Sequence, residues 1–114
     1  MDEDVVAPTG RLDGPAAPDF LKAVTKATAA GAAHLMIDFS EVSYISSAGL
    51  RVILIAAKTL AARGGRLALC SLGPQVARVI ELSDFAVLAN LSIHSGRDTA
   101  RLALSDATLR ASIA

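Results

Sequence analysis

The stretch Leu35-Met36-Ile37-Asp38-Phe39-Ser40-Glu41-Val42-Ser43-Tyr44-Ile45-Ser46-Ser47-Ala48-Gly49-Leu50 decides the fold. Leu35 to Ile37 is an apolar run between His34 and Asp38, too short for a helix and suited to a strand buried on both faces, with Asp38 marking its carboxyl end. A loop through Glu41 and Tyr44 is expected to lead to Ser46-Ser47. From there Leu50, Ile53, Leu54, Ala57, Leu60 and Ala61 recur at helical spacing until Gly64-Gly65 stops the helix. A buried strand followed by an amphipathic helix is the repeating unit of an α/β fold, and residues at the strand's carboxyl end meet the helix amino terminus, where function is expected first.

The flanking sequence extends the same alternation. Ala16, Phe20, Ala23, Val24 and Ala27 mark a helical face between Pro15 and Ala30, with Gly31 ending it. Leu67-Ala68-Leu69-Cys70 reads as a strand, Pro74 opens a short helix carrying Val76, Val79 and Ile80, and Val87 to Ile93 supplies a last strand. Ser95 and Asp98 have the spacing of an N-cap and its acidic third position before a final helix through Ala100, Ala103, Leu104 and Ala107. Residues 4 to 13 give one weak strand, which Pro8 confines to an edge.

At 114 residues the chain has the length of one domain, spanning 1–114. Alanine supplies 23 of its apolar positions and Leu, Val and Ile together only 30, so the core is expected to be small and aliphatic. Eleven basic residues balance eleven acidic ones, and with four aromatic residues the chain has neither the charge nor the stacking surfaces that nucleic-acid binding uses. Its apolar runs fall far below the roughly 20 residues of a membrane span, and Asp2-Glu3-Asp4 is unlike a secretory leader; a cytoplasmic location is expected. One cysteine, Cys70, and two histidines, His34 and His94, offer no metal-ligand spacing, so no metal or cofactor is expected.

A serine ahead of a helix commonly caps it, its oxygen accepting N–H groups of the first turn. The same position displays a hydroxyl at the positive end of the helix, where a phosphate is favoured. The small residues Ala48 and Gly49 leave room for a partner to approach. Gly10-Arg11-Leu12-Asp13, the block Leu35 to Leu50, Gly64-Gly65-Arg66-Leu67, Pro74-Gln75-Val76 and Val79-Ile80-Glu81-Leu82 together resemble the STAS domain family, and within it the bacterial anti-sigma-factor antagonists.

That resemblance implies a single domain with a small mixed sheet covered by helices. It also implies a serine that a cognate anti-sigma factor phosphorylates as a kinase. The unmodified form binds that kinase and releases the sigma factor, and a serine phosphatase resets the switch. The family's phosphoserine falls on Ser47, with Ser46 as the alternative because it replaces the family's usual Asp; Ala48 replaces a frequent Ser or Thr. Asp13 and Asp38 match acidic positions flanking the site, and equally suit a turn residue and a strand-end cap. The family usually begins with a two-strand hairpin. Only about one strand fits before Asp13, so the first strand is expected to be shortened or absent, exposing a sheet edge.

No activated nucleophile surrounds Ser47, and an enzyme is not expected. A second reading within the same resemblance is a non-catalytic subunit of a transport ATPase complex or a stress-signalling scaffold. Expected partners are thus the anti-sigma factor/serine kinase and the phosphatase, with a homodimer as an option, and neither nucleic acid nor membrane insertion. Placing the helix at 100° per residue puts Leu50, Ile53, Ala57, Leu60 and Ala61 on one side. The opposite stripe centres on Ile55, flanked by Ala48, Arg51 and Val52, and is expected to be either a contact patch or a face covered by a neighbouring helix.

Overall fold

The computed structural model describes residues 3–83, 85 and 88–113. Along the chain run β1 (Glu3–Val6), β2 (Gly10–Leu12), α1 (Ala17–Ala29), β3 (His34–Asp38), β4 (Val42–Ile45), α2 (Ser47–Ala61), β5 (Leu67–Cys70), α3 (Pro74–Leu82), β6 (Leu91–His94) and α4 (Arg97–Ile113). The α/β class is as expected. The ladders described are all parallel and fall into two groups, a four-stranded sheet in the order β1-β3-β5-β6 and a two-stranded ribbon of β2 with β4.

Strict alternation along the central strands divides the interior. Leu35, Ile37, Leu67 and Leu69 join the large core formed with Phe20 and Val24 of α1, Ile53, Ala57 and Leu60 of α2, and Val76 and Ile80 of α3. The intervening Met36, Ala68 and Cys70 face the other way and pack with Ala100 and Leu104 of α4. Residues buried on both faces of a parallel sheet read as continuous apolar runs, which is why Leu35 to Ile37 and Leu67 to Cys70 were legible as strands. The small side chains of Ala68, Cys70 and Ala100 share this interface with the larger Met36 and Leu104.

Two strands, not one, precede Asp13. Both are short, and Ala7-Pro8-Thr9 separates them, so Pro8, which has no N–H to donate, lies in neither. The first strand is therefore shortened but present, and it forms an edge of the main sheet with α1 packed beside it. The segment read as a loop through Tyr44 is strand β4. Val42 and Ile45 are buried and Ser43 is exposed, and β2 provides the partner that the short run lacks by itself. The last strand starts at Leu91; Val87 lies outside the described residues. Helix α4 opens on a bond from Ala100 N–H to the Gly96 carbonyl, so Gly96 holds the N-cap position expected for Ser95, and Asp98 pairs with Arg101 at 3.8 Å.

Candidate functional site

The β4–α2 junction is fastened to β2 and to α3 through the main chain. Ser46, in extended conformation, donates its N–H to the Leu12 carbonyl at 3.0 Å, and its hydroxyl turns to the same oxygen at 3.4 Å. One residue earlier, the Gln75 side chain of α3 closes on Ile45 with both ends of its amide. Oε1 accepts the Ile45 N–H at 2.9 Å and Nε2 donates to the Ile45 carbonyl at 3.1 Å, so a single side chain stands in for a neighbouring strand. The family-like Pro74-Gln75-Val76 segment carries this residue, but its partner lies 30 positions away and no periodicity points to it.

Ser46 occupies the N-cap position of α2 and Ser47 is the first helical residue, yet no side-chain cap hydrogen bond forms. The capping expectation is therefore not realised: the Ser46 hydroxyl is spent on Leu12. Ser47 is exposed, and its hydroxyl has no partner among the described residues. The first turn of α2 contains no acidic side chain.

Gly49 is buried, and its lack of a side chain serves the interior. A Cβ there would lie 2.7 Å from both Ile45 Cγ1 and the Leu12 carbonyl oxygen, so its expected place on a partner surface is corrected to close packing of α2 against β2 and β4. Val52 is corrected in the same sense. Expected beside Ile55 on the exposed stripe, it is only 3% exposed, because α2 is covered on two sides, by the sheet and by α1. Ile55 itself is 39% exposed. Between α1 and α2 runs a largely apolar groove of about 490 Å³, formed by Ala17, Pro18 and Leu21 with Ala48, Val52 and Ile55. Ser47 and Arg51 also line it, so Ser47, Ala48, Arg51, Val52 and Ile55 are brought together, with Val52 below the surface.

The two carboxylates are committed elsewhere. Asp13 accepts the Ala16 N–H through Oδ1 at 3.2 Å and meets Arg11 Nε at 3.4 Å, while the Arg11 guanidinium lies 4.1 Å from the centre of the Tyr44 ring. It is the turn residue that launches α1. Asp38 is buried and accepts the Ser40 N–H at 2.9 Å and Arg97 Nε at 2.5 Å. Burial pushes its carboxyl up, but the Ser40 N–H and the Arg97 guanidinium outweigh it and leave the pKa lowered. Arg97, which the sequence reading did not single out, ties the end of β3 to the start of α4.

Nothing at these positions assembles a nucleophile and a base. Burial raises the Cys70 thiol pKa, and burial lowers that of His94, whose Nε2 lies 2.8 Å from Ser92 Oγ. Among the described residues no His, Cys, Asp and Glu group could hold a metal ion, and no helix is long and apolar enough to cross a membrane.

The STAS domain family model matches residues 2–100. BtrV of Bordetella bronchiseptica, named as an anti-sigma factor antagonist, is 40% identical over 80 residues, which are 70% of this chain and 67% of that protein. A Thermotoga maritima protein assigned to the same class superposes with a TM-score of 0.83 at 26% identity, covering 91% of this chain and 88% of that one. The phosphorylated form of the Bacillus protein SpoIIAA superposes with a TM-score of 0.66 at 22% identity over 87% of each chain, a likeness of fold. The chain belongs to the STAS domain family and stands among its anti-sigma factor antagonists.

Proposed function

We propose that this protein is a phosphorylation-switched antagonist. In its unmodified form it binds a cognate anti-sigma factor that is also a serine kinase and releases the sigma factor. Phosphorylation at Ser47 ends that binding, and a serine phosphatase restores it. The observation that carries this reading is the contrast between two adjacent hydroxyls. Ser47 is exposed at the start of α2 with its oxygen unengaged, whereas the Ser46 hydroxyl is held by Leu12. A kinase can reach the first without breaking a bond, and the positive end of α2 favours the product. The name of BtrV supports the antagonist role, and the fold is shared with a protein solved in a phosphorylated form. The groove between α1 and α2 and the exposed edge at Arg51 and Ile55 form the contact surface.

Incubation with the cognate anti-sigma factor and ATP, followed by peptide mass spectrometry, tests it. Phosphate is expected on Ser47, and Ser47→Ala is expected to remain folded and to bind without regulation. Modification confined to Ser46, or equal kinase affinity for both forms, contradicts the reading.

A further inference from the structure

Resting on the assignment of Ser47 as phosphoacceptor, we propose that Arg51 is the built-in counter-charge of the phosphorylated state, drawing the phosphate back along α2 and over the groove between α1 and α2. Ser47 and Arg51 stand four residues apart on α2, and side chains at that spacing have Cβ atoms about 5–6 Å apart on one face. Helical side chains lean toward the amino terminus, so Arg51 reaches back over the turn that begins at Ser47. An acid four residues ahead of a base is also the favourable order of the pair. Both residues line the same groove.

Neither has another engagement among the described residues. Arg51 is exposed and forms no ion pair with a described residue, while the two carboxylates first associated with the site are taken: Asp13 by Arg11, and Asp38 by Arg97. The carboxylates of Asp13 and Asp38 each have a cationic partner, whereas Arg51 has none among the described residues and shares the groove with Ser47. A guanidinium binds phosphate oxygens through two parallel N–H bonds, and the groove floor of Ala48 and Val52 offers no competing acceptor side chain. The modification thereby acts in two ways at once. It withdraws Arg51 from an incoming partner, and it places a dianion at the mouth of an apolar groove that an incoming partner would have to dehydrate.

The test needs no kinase. Phosphoserine is placed genetically at position 47, and the second ionisation of its phosphate, near pH 6 in the free residue, is followed by ³¹P NMR. With Arg51 in place the midpoint is expected about 0.15–0.4 pH unit lower than in Arg51→Gln. Arg51→Lys should recover part of the shift, and Lys58→Gln, which removes another cation of α2, should leave it unchanged. Equal midpoints with and without the Arg51→Gln substitution would overturn the proposal, as would a shift in Lys58→Gln as large as that in Arg51→Gln. Because the phosphate is installed rather than transferred, these outcomes bear on Arg51 alone; failure of the kinase to modify Ser47 bears on the assignment beneath it.

Discussion

Two strand ends of this domain carry the polar residues that its sequence marks for function, and they are finished differently. At the end of β3, Asp38 is buried and closed by the Ser40 N–H and by Arg97, so its charge is answered inside the molecule. At the end of β4 the main chain is fastened just as firmly, by Leu12 and by both ends of the Gln75 amide, but the side chain that follows, Ser47, is left without a partner among the described residues. The first end joins sheet to helix. The second presents an unengaged hydroxyl on a fastened main chain, so an enzyme acting on Ser47 as proposed would have no mobile segment to order.

The sharpest way to break the second end is Gly49→Val. Its Cβ would fall 2.7 Å from the Leu12 carbonyl oxygen, a main-chain atom that cannot rotate away. Forcing α2 off β2 and β4 should cost about 3 kcal/mol, seen as a lower urea midpoint with unchanged slope.

Breaking the first end should cost somewhat less. Asp38→Ala leaves the Ser40 N–H without its acceptor and frees Arg97, whose half-exposed side chain can turn to water, so about 2 kcal/mol is expected. The pH dependence has a definite sign. Asp38 ionises below the ordinary Asp value in the folded chain, so its stabilisation is complete above about pH 5 and is lost as pH falls below about 3.9 through the folded value. Asp38→Asn should flatten that part of the stability–pH curve; a curve parallel to that of the unaltered protein would mean the carboxylate contributes nothing there.

Gln75→Ala should have a smaller effect, about 1 kcal/mol, because the freed Ile45 groups can recruit water. Its signature is local. Amide exchange should accelerate at Ile45 and Ser46 while the centre of β3 and β5 stays protected. Gln75→Glu keeps an acceptor for the Ile45 N–H but faces the Ile45 carbonyl with an oxygen, and should fall between the two.

These residues also show where reading the sequence stops. Leu35 to Ile37 was legible as an unbroken apolar run, the helix of Leu50 to Leu60 by its period, and its arrest by Gly64-Gly65. The position of Ser47 at the start of that helix was legible from the spacing that follows it. Strand β4 was not, since four residues have no period to display and their ladder partner, β2, is equally short. Asp38 with Arg97 and Gln75 with Ile45 are 59 and 30 positions apart and rest on single side chains. Val52 was misplaced for a different reason. The wheel centred the buried side on Leu50, Ile53, Ala57, Leu60 and Ala61, whereas α1 packs along one flank of α2 and the buried arc runs from Val52 and Ala56 through Gly49 and Leu60 to Ile53 and Ala57.

Its place beside the flank that α1 covers makes Ile55 the most discriminating position left, with the smallest expected effect on stability. It is 39% exposed and lines the groove between α1 and α2, one turn beyond Arg51. An exposed aliphatic residue alone needs no explanation, but here Val52 beneath it is buried, so substitution at the two positions separates packing from contact. Ile55→Asp should change stability by no more than about 0.5 kcal/mol, because the carboxylate can reach water and Lys58 and Arg51 stand on the same helix. Val52→Asp should unfold the protein or nearly so, since a charge would be buried against α1 without a partner. If Ile55→Asp lowers affinity for the anti-sigma factor at least tenfold while its melting temperature stays within about 3 °C of the unaltered protein, the groove lip is the contact surface. If affinity is unchanged, the contact surface lies away from Ile55; if the melting temperature collapses, Ile55 belongs to the α1–α2 interface and the open strand end is narrower than Ser47 and Arg51 suggest.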